Sequence, residues 1–175
     1  MPVEYIEMSD PQYDYISKRV RESFPQSCIC WIEENINDRL LRAFEERRCE
    51  IAKKGAMNVV QFFHGTTEGA VNSIAASGFD PAYNKASAYG KGTYFAKNAL
   101  YSLSYMKPNS AGLSFMFLCD VIIGTACLGS GGLEIDTTKY QSAVDRLEDP
   151  TIVVTPYADA AYPRYIIAFH KNATK

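Results

Sequence analysis

The 175-residue chain is short of most features that mark a specialised class. No apolar run approaches the roughly 20 residues a membrane-spanning helix needs. The N-terminus, MPVEYIEMSD, has no basic stretch leading into an apolar one. The expectation is therefore a soluble, intracellular protein without membrane contact. Neither charge is in excess, with 18 Lys and Arg against 20 Asp and Glu and a formal net charge of −2. That balance argues against sequence-blind binding to nucleic acid or an anionic membrane, which needs a strongly cationic face. There are five cysteines and two histidines. Cys28-Ile-Cys30 has the wrong spacing for a paired zinc knuckle, and only His64 and His170 are there to complete one. Reduced thiols and no metal are expected, with Cys49, Cys119 and Cys127 read in the same way. No Gly/Ser/Pro-rich linker and no repeat divides the chain, so one domain is expected. The surplus is in tyrosine, twelve residues beside a single Trp. A flat ring with a polar tip suits a wet interface or a pocket for a stackable ligand.

Periodicity gives a mixed set of elements. PQYDYISKRVRESF (11–24) carries Tyr13, Ile16, Val20 and Phe24 at helical spacing between two prolines. SCICWIEEN (27–35) reads as a strand. Asp38 is the expected cap of a second helix through Leu40, Leu41, Phe44 and Ile51 to Gly55. VVQFFH (59–64) is a β-rich run, and Thr66 or Thr67 then caps a helix closed by Gly78. GTYFA (92–96) is a short strand, a helix from Asn98 runs to about Met106, and LSFMFLCDVIIG (113–124) is a long strand. TIVVT (151–155) and RYIIAF (164–169) complete the set. These blocks lack a regular βαβ rhythm, which predicts α+β architecture.

Two segments carry chemistry. In FFHGTT, His64, Gly65, Thr66 and Thr67 stand at a strand-to-helix junction. Without a Cβ, Gly65 lets its N–H and C=O be approached together, matching the acceptor and donor of a planar carboxamide. The following helix start offers N–H donors to a ribose or phosphate. A plain turn with a core histidine is the competing reading. On this reasoning a larger residue at Gly65 should block the amide yet leave the fold largely intact, as befits a ligand-facing turn.

The second segment is YGKGTYFA (89–96), followed by Ser102 and Tyr105. Its GKG is neither a Walker loop, which needs four residues between its glycines, nor a dinucleotide fingerprint, because a strand follows and no third glycine opens a helix. The glycines bend the chain into a strand presenting Tyr94. Ser102 and Tyr105 lie three apart on one helical face. Tyr94 and Tyr105 across a slot would clamp an aromatic ring. Taken alone, this segment is also compatible with ordinary core packing.

FHGTT, YGKGTYFA with its spaced Ser and Tyr, and the closing YPRYIIAF together resemble the catalytic domain of the poly(ADP-ribose) polymerase family, the diphtheria-toxin-like ADP-ribosyltransferases. The likeness covers most of the chain and is closest to short members without the regulatory helical subdomain. It implies two packed antiparallel sheets enclosing an NAD+ cleft with flanking helices. Residues 1–175 would form one catalytic domain, with a helix-strand-helix lead-in over about 9–57 and the NAD-binding core over 58–170. It further implies that His64 holds the adenosine-proximal ribose, that Gly65 reads the nicotinamide amide with its backbone, and that Ser102 adds a hydroxyl there. Tyr94 and Tyr105 form the clamp, Tyr94 being the middle residue of the three-residue catalytic signature. Thr66 and Tyr89 complete the cofactor contacts, Tyr89 from a loop over NAD+.

Aligned on YPRYIIAF, the third signature position is Ile152, where polymerising members carry glutamate. Cleaving the nicotinamide–ribose bond builds oxocarbenium-like charge that a carboxylate stabilises, and the same group activates an acceptor hydroxyl. Isoleucine does neither, so polymer extension should fail, whereas an acidic acceptor brings its own carboxylate. Glu148 and Asp149 precede the strand and are expected in a solvated loop. The resemblance thus implies NAD+-dependent transfer of one ADP-ribose to a protein side chain, the protein itself included, with a nucleic-acid end as a lesser acceptor. A non-catalytic binder of NAD or ADP-ribose, and NAD+-dependent removal of a 2′-phosphate from RNA, remain open alternatives at this level.

Overall fold

The computed structural model describes residues 2–85 and 87–171. Its long central strand, β5 (Leu113–Ile122), is buried on both faces. Alternate residues explain why: Phe115, Phe117, Cys119 and Val121 enter one core, Met116 and Leu118 the other. β9 (Ala161–Lys171) repeats the pattern, sending Ile166 and Ala168 to the first face and Tyr165, Ile167 and Phe169 to the second. β5 pairs with β9 on one side and with β3 (Val59–Thr66) on the other, both antiparallel. β2 (Ser27–Asn35) joins β9, and β1 (Val3–Tyr5) edges β2. The lead-in strand is thus part of the main sheet.

On the far side of β3 lie β4 (Thr93–Ala96), β8 (Ile152–Thr155), β7 (Ser142–Val144) and β6 (Ala126–Leu128). The order is β1-β2-β9-β5-β3-β4-β8-β7-β6. The α+β class is as read from the sequence. The ladder, however, is one mixed nine-stranded sheet, with β6 and β7 parallel, and the two separate antiparallel sheets implied by the resemblance are not seen as separate ladders. What divides it is a seam: β3 and β4 share a single registered pair, Phe63 with Ala96.

Helix α1 (Pro11–Ser23) packs Tyr13, Ile16 and Val20 on the second face, capped by the Asp10 carboxylate, which accepts from the Gln12 N–H at 2.8 Å. α2 (Asp38–Ala52) is capped one residue earlier than expected, because the Asn37 side chain accepts from the Leu40 N–H at 3.1 Å. α3 (Glu68–Ser77) follows Thr67 and ends at Gly78, whose φ of 81° favours glycine. α4 (Ala99–Ser102) starts after Asn98 but is only four residues long and tightens into a 3-10 turn, Leu103–Tyr105. The expected helix to Met106 is thus shorter and tighter. Among the described residues no helix is long and apolar enough to cross a membrane, and no group of three metal-ligating side chains occurs.

Candidate active site

The pocket opens at the β3–β4 seam. Continuing the register of Phe63 with Ala96 would put Gly65 opposite Tyr94, yet these two residues are not paired. The gap left there is lined by three consecutive residues from each strand, Phe63, His64 and Gly65 against Tyr94, Phe95 and Ala96. Successive strand residues point to opposite faces, so a cavity touching all three in a row reaches the strands edge-on, where backbone groups are exposed. Tyr101, Ser102 and Tyr105 close one end, with Asn84 at the mouth. The cavity volume is about 40 Å³, well below the roughly 300–1,000 Å³ usual for sites that enclose a whole ligand.

His64 stitches the seam with its side chain. Its ring Nδ1 lies 2.8 Å from the Tyr94 carbonyl oxygen, which can only accept, so Nδ1 carries the proton and Nε2 presents a lone pair. Burial pushes the imidazole pKa below its ordinary value, opposed only in part by that hydrogen bond, and so keeps the ring neutral. The rings of Phe79 and Phe95, with centroids 4.9 and 5.5 Å away, supply the apolar wall.

Gly65 sits inside β3, in register with Met116, rather than at a turn. A Cβ there would lie 2.2 Å from the Ser102 carbonyl oxygen and 3.0 Å from Met106 Cγ. Glycine is required because the α4 backbone rests directly on the strand. The expectation that a larger residue would spare the fold is therefore corrected: the strand and α4 would be forced apart.

Tyr94 is 5% exposed and its hydroxyl is tied to main chain, donating to the Gly90 carbonyl at 2.6 Å and accepting from the Tyr89 N–H at 3.0 Å. Ser102 is 2% exposed, and its hydroxyl makes no capping hydrogen bond to the 3-10 turn it opens. Tyr105 stands 41% exposed at the mouth. Its hydroxyl is 3.4 Å from that of Tyr101, whose pKa is raised by burial and by that contact. Sequence reasoning did not single out Tyr101 as a site residue. The available signal was its i, i+4 spacing to Tyr105, which places the two rings side by side on one turn, centroids 5.9 Å apart. Asn84, also missed, donates to the Gly92 carbonyl at 2.8 Å and carried no local signal.

Three of the expected residues do not line this cavity. Thr66 is buried in β3 opposite Phe115. Tyr89 is half-buried against the cluster of Tyr94, Ile135 and Val154. Ile152 begins β8, 4% exposed, paired with Ala96 and so one strand behind the wall. Asp145 clasps that strand start: its Oδ1 accepts from the Thr151 and Ile152 N–H groups at 2.9 Å and its Oδ2 from the Thr151 hydroxyl at 2.5 Å. Burial raises the Asp145 pKa, but these bonds outweigh it and leave the carboxylate below its ordinary range. Asp149 pairs with Lys97 at 2.8 Å, and Glu148 is exposed, so both lie in a solvated loop, as expected from the sequence. No carboxylate is among the described residues lining the cavity. The five cysteines are free thiols, of which Cys119 alone is fully buried.

Known proteins resemble this chain over most of its length. Residues 14–149 match the poly(ADP-ribose) polymerase catalytic domain family. The match ends three residues before Ile152. Human protein mono-ADP-ribosyltransferase PARP14 is 33% identical over an alignment covering 93% of this chain and 10% of the relative. Mouse PARP12, also named a mono-ADP-ribosyltransferase, is 29% identical over 94% of the chain and 25% of its own length. A probable poly [ADP-ribose] polymerase of Dictyostelium discoideum is 30% identical over 95% of the chain and 52% of its length. The chain thus spans from a tenth to about half of these relatives.

Proposed function

The chain belongs to the poly(ADP-ribose) polymerase catalytic domain family, and from that premise we propose that it transfers a single ADP-ribose from NAD+ to an acceptor side chain, releasing nicotinamide. The carrying observation is the gap between the unpaired Gly65 and Tyr94, lined also by Tyr105 and Ser102. Nicotinamide has the matching chemistry: an aromatic ring for the Tyr94–Tyr105 slot, and a carboxamide that both donates and accepts, for the Gly65 backbone and the Ser102 hydroxyl. The Nε2 lone pair of a neutral His64 accepts from a ribose hydroxyl. Tyr89 would contact NAD+ from the loop above the cavity, whereas buried Thr66 supports the strand that carries Gly65.

In the reaction the nicotinamide–ribose C–N bond breaks, its electron pair leaves with nicotinamide, and an acceptor oxygen bonds to the ribose carbon. A hydroxyl acceptor needs a base to take its proton, and here Ile152 offers none while Asp145 has its oxygens committed to Thr151 and Ile152. A carboxylate acceptor arrives deprotonated and needs no such help. This favours acidic protein side chains as acceptors and disfavours chain extension, whose nucleophile is a ribose hydroxyl. The names of the PARP14 and PARP12 relatives point the same way.

Incubation with labelled NAD+ followed by a denaturing gel tests the reading. Discrete bands sensitive to hydroxylamine are expected, since acyl-linked ADP-ribose is labile to it. A ladder would overturn the Ile152 argument, and absence of label despite measurable NAD+ binding would identify a non-catalytic binder.

A further inference from the structure

The stretch from Ser87 to Gly92 leads into β4, whose Tyr94 lines the slot. Its outer edge is tied to the 129–133 segment by main chain: the Gly132 N–H donates to the Ser87 carbonyl and the Lys91 N–H to the Leu133 carbonyl, each at 2.8 Å. Gly129 lets that segment pass beneath, for a Cβ there would sit 2.4 Å from the Tyr89 carbonyl oxygen. The inner edge is held differently. The Tyr94 hydroxyl gives its one proton to the Gly90 carbonyl at 2.6 Å and accepts from the Tyr89 N–H at 3.0 Å. Gly90 meanwhile holds a φ of 125°, a conformation that favours glycine.

We propose that the Tyr94 hydroxyl is a latch: it acts on no atom of the substrate and instead fixes Tyr89 and Gly90 against the slot. Tyr94 then has two separate duties, its ring lining the cavity and its hydroxyl positioning the loop. The same residue's main-chain carbonyl orients His64. Slot wall, histidine and loop are all referenced to one side chain and its own backbone, so an error at Tyr94 displaces the three together. The kinetic consequence rests on the NAD+ reading, whereas the latch itself does not.

Tyr94→Phe keeps the ring and removes the latch, and the outer main-chain bonds should keep the loop folded. The expected result is a rise of about three- to tenfold in KM and in the NAD+ dissociation constant, the worth of one or two hydrogen bonds, with kcat within about twofold. Hydrogen exchange at the Tyr89 amide should quicken by about tenfold, while the Lys91 and Gly132 amides stay protected. A fall in kcat at unchanged KM would overturn the proposal, because it would place the hydroxyl on the reacting atoms. The wild-type protein gives an independent reading should the variant fail to fold. Its Tyr89 amide must exchange more slowly than that of neighbouring Ala88, and equal rates would sink the latch. If the wild type binds no NAD+, the functional reading fails, and the Tyr89 exchange rate still decides the latch by itself.

Discussion

Alanine at Gly65 should unseat α4 from β3. The added methyl carbon would lie 2.2 Å from the Ser102 carbonyl oxygen, where ordinary contact begins at 3.4 Å, so the two backbones must separate by more than 1 Å. The strand does not yield easily, being held by β5 in register through Thr66, and Ser102 is itself buried in an otherwise largely exposed turn. Overpacking of this kind costs about 1–3 kcal/mol. For a domain of this size each kcal/mol lowers Tm by roughly 2–4 °C, so a fall of about 2–12 °C is expected by calorimetry. Ser102 and Tyr105 ride on the displaced segment, and misplacement by about 1 Å can cost roughly 100-fold in rate. Gly69→Ala is the control, since a Cβ in the first turn of α3 meets nothing within 4 Å. It should be neutral or slightly stabilising. A Gly65→Ala protein that melts like the control and consumes NAD+ at the parental rate would refute the packing argument and the pocket placement together.

Two further outcomes follow from the site. Ile152→Glu places a carboxyl among Tyr94, Ala96, Ala143 and Val154, a buried apolar cluster. Burial raises the pKa of such a carboxyl, so the stability penalty should grow as pH rises. Melting at pH 5 and pH 8 reads this: the variant's deficit should be larger at pH 8, and label should still run as discrete bands rather than as a ladder. For His64 the sign is opposite. Its folded pKa is depressed below the ordinary 6.5, so the unfolded chain binds the proton more readily. Its contribution is complete above that pH and is lost as pH falls through the lowered folded value. NAD+ affinity should decline over the same range, because protonation turns Nε2 from acceptor to donor. An NMR titration placing the His64 midpoint above 6.5 would contradict the neutral ring.

Much of the scaffold was legible because its signals are local. The continuous apolar run of β5, the helical spacing of Tyr13, Ile16 and Val20, and Gly78 after α3 each report on neighbours within a turn or a strand repeat. The strands that escaped notice, β1, β6 and β7, are three residues long each. Three residues carry too little periodicity to stand out, and their extended form is imposed by the strand alongside. The cap of α2 moved from Asp38 to Asn37 for a related reason. Both side chains can cap, and Asn37 is additionally anchored to the Ala75 and Ala76 carbonyls, contacts distant in sequence.

The site divides along the same line. His64, Gly65, Tyr94, Ser102 and Tyr105 could be named from residue type and spacing, because a clamp ring, a close-approach glycine and a hydroxyl are properties of the side chains themselves. What they do to one another could not. The seam exists because β4 leaves β3 after one pair. Gly65 is obligatory because a helix from 37 residues further along lands on it, and the tautomer of His64 is set by the carbonyl of a residue 30 positions away. The sequence by itself determined which chemical groups this protein owns and the family whose pattern they follow. Only the tertiary structure decided which of their donors and acceptors are spent inside the protein and which remain for a ligand, since that depends on pairings across gaps that no local period encodes.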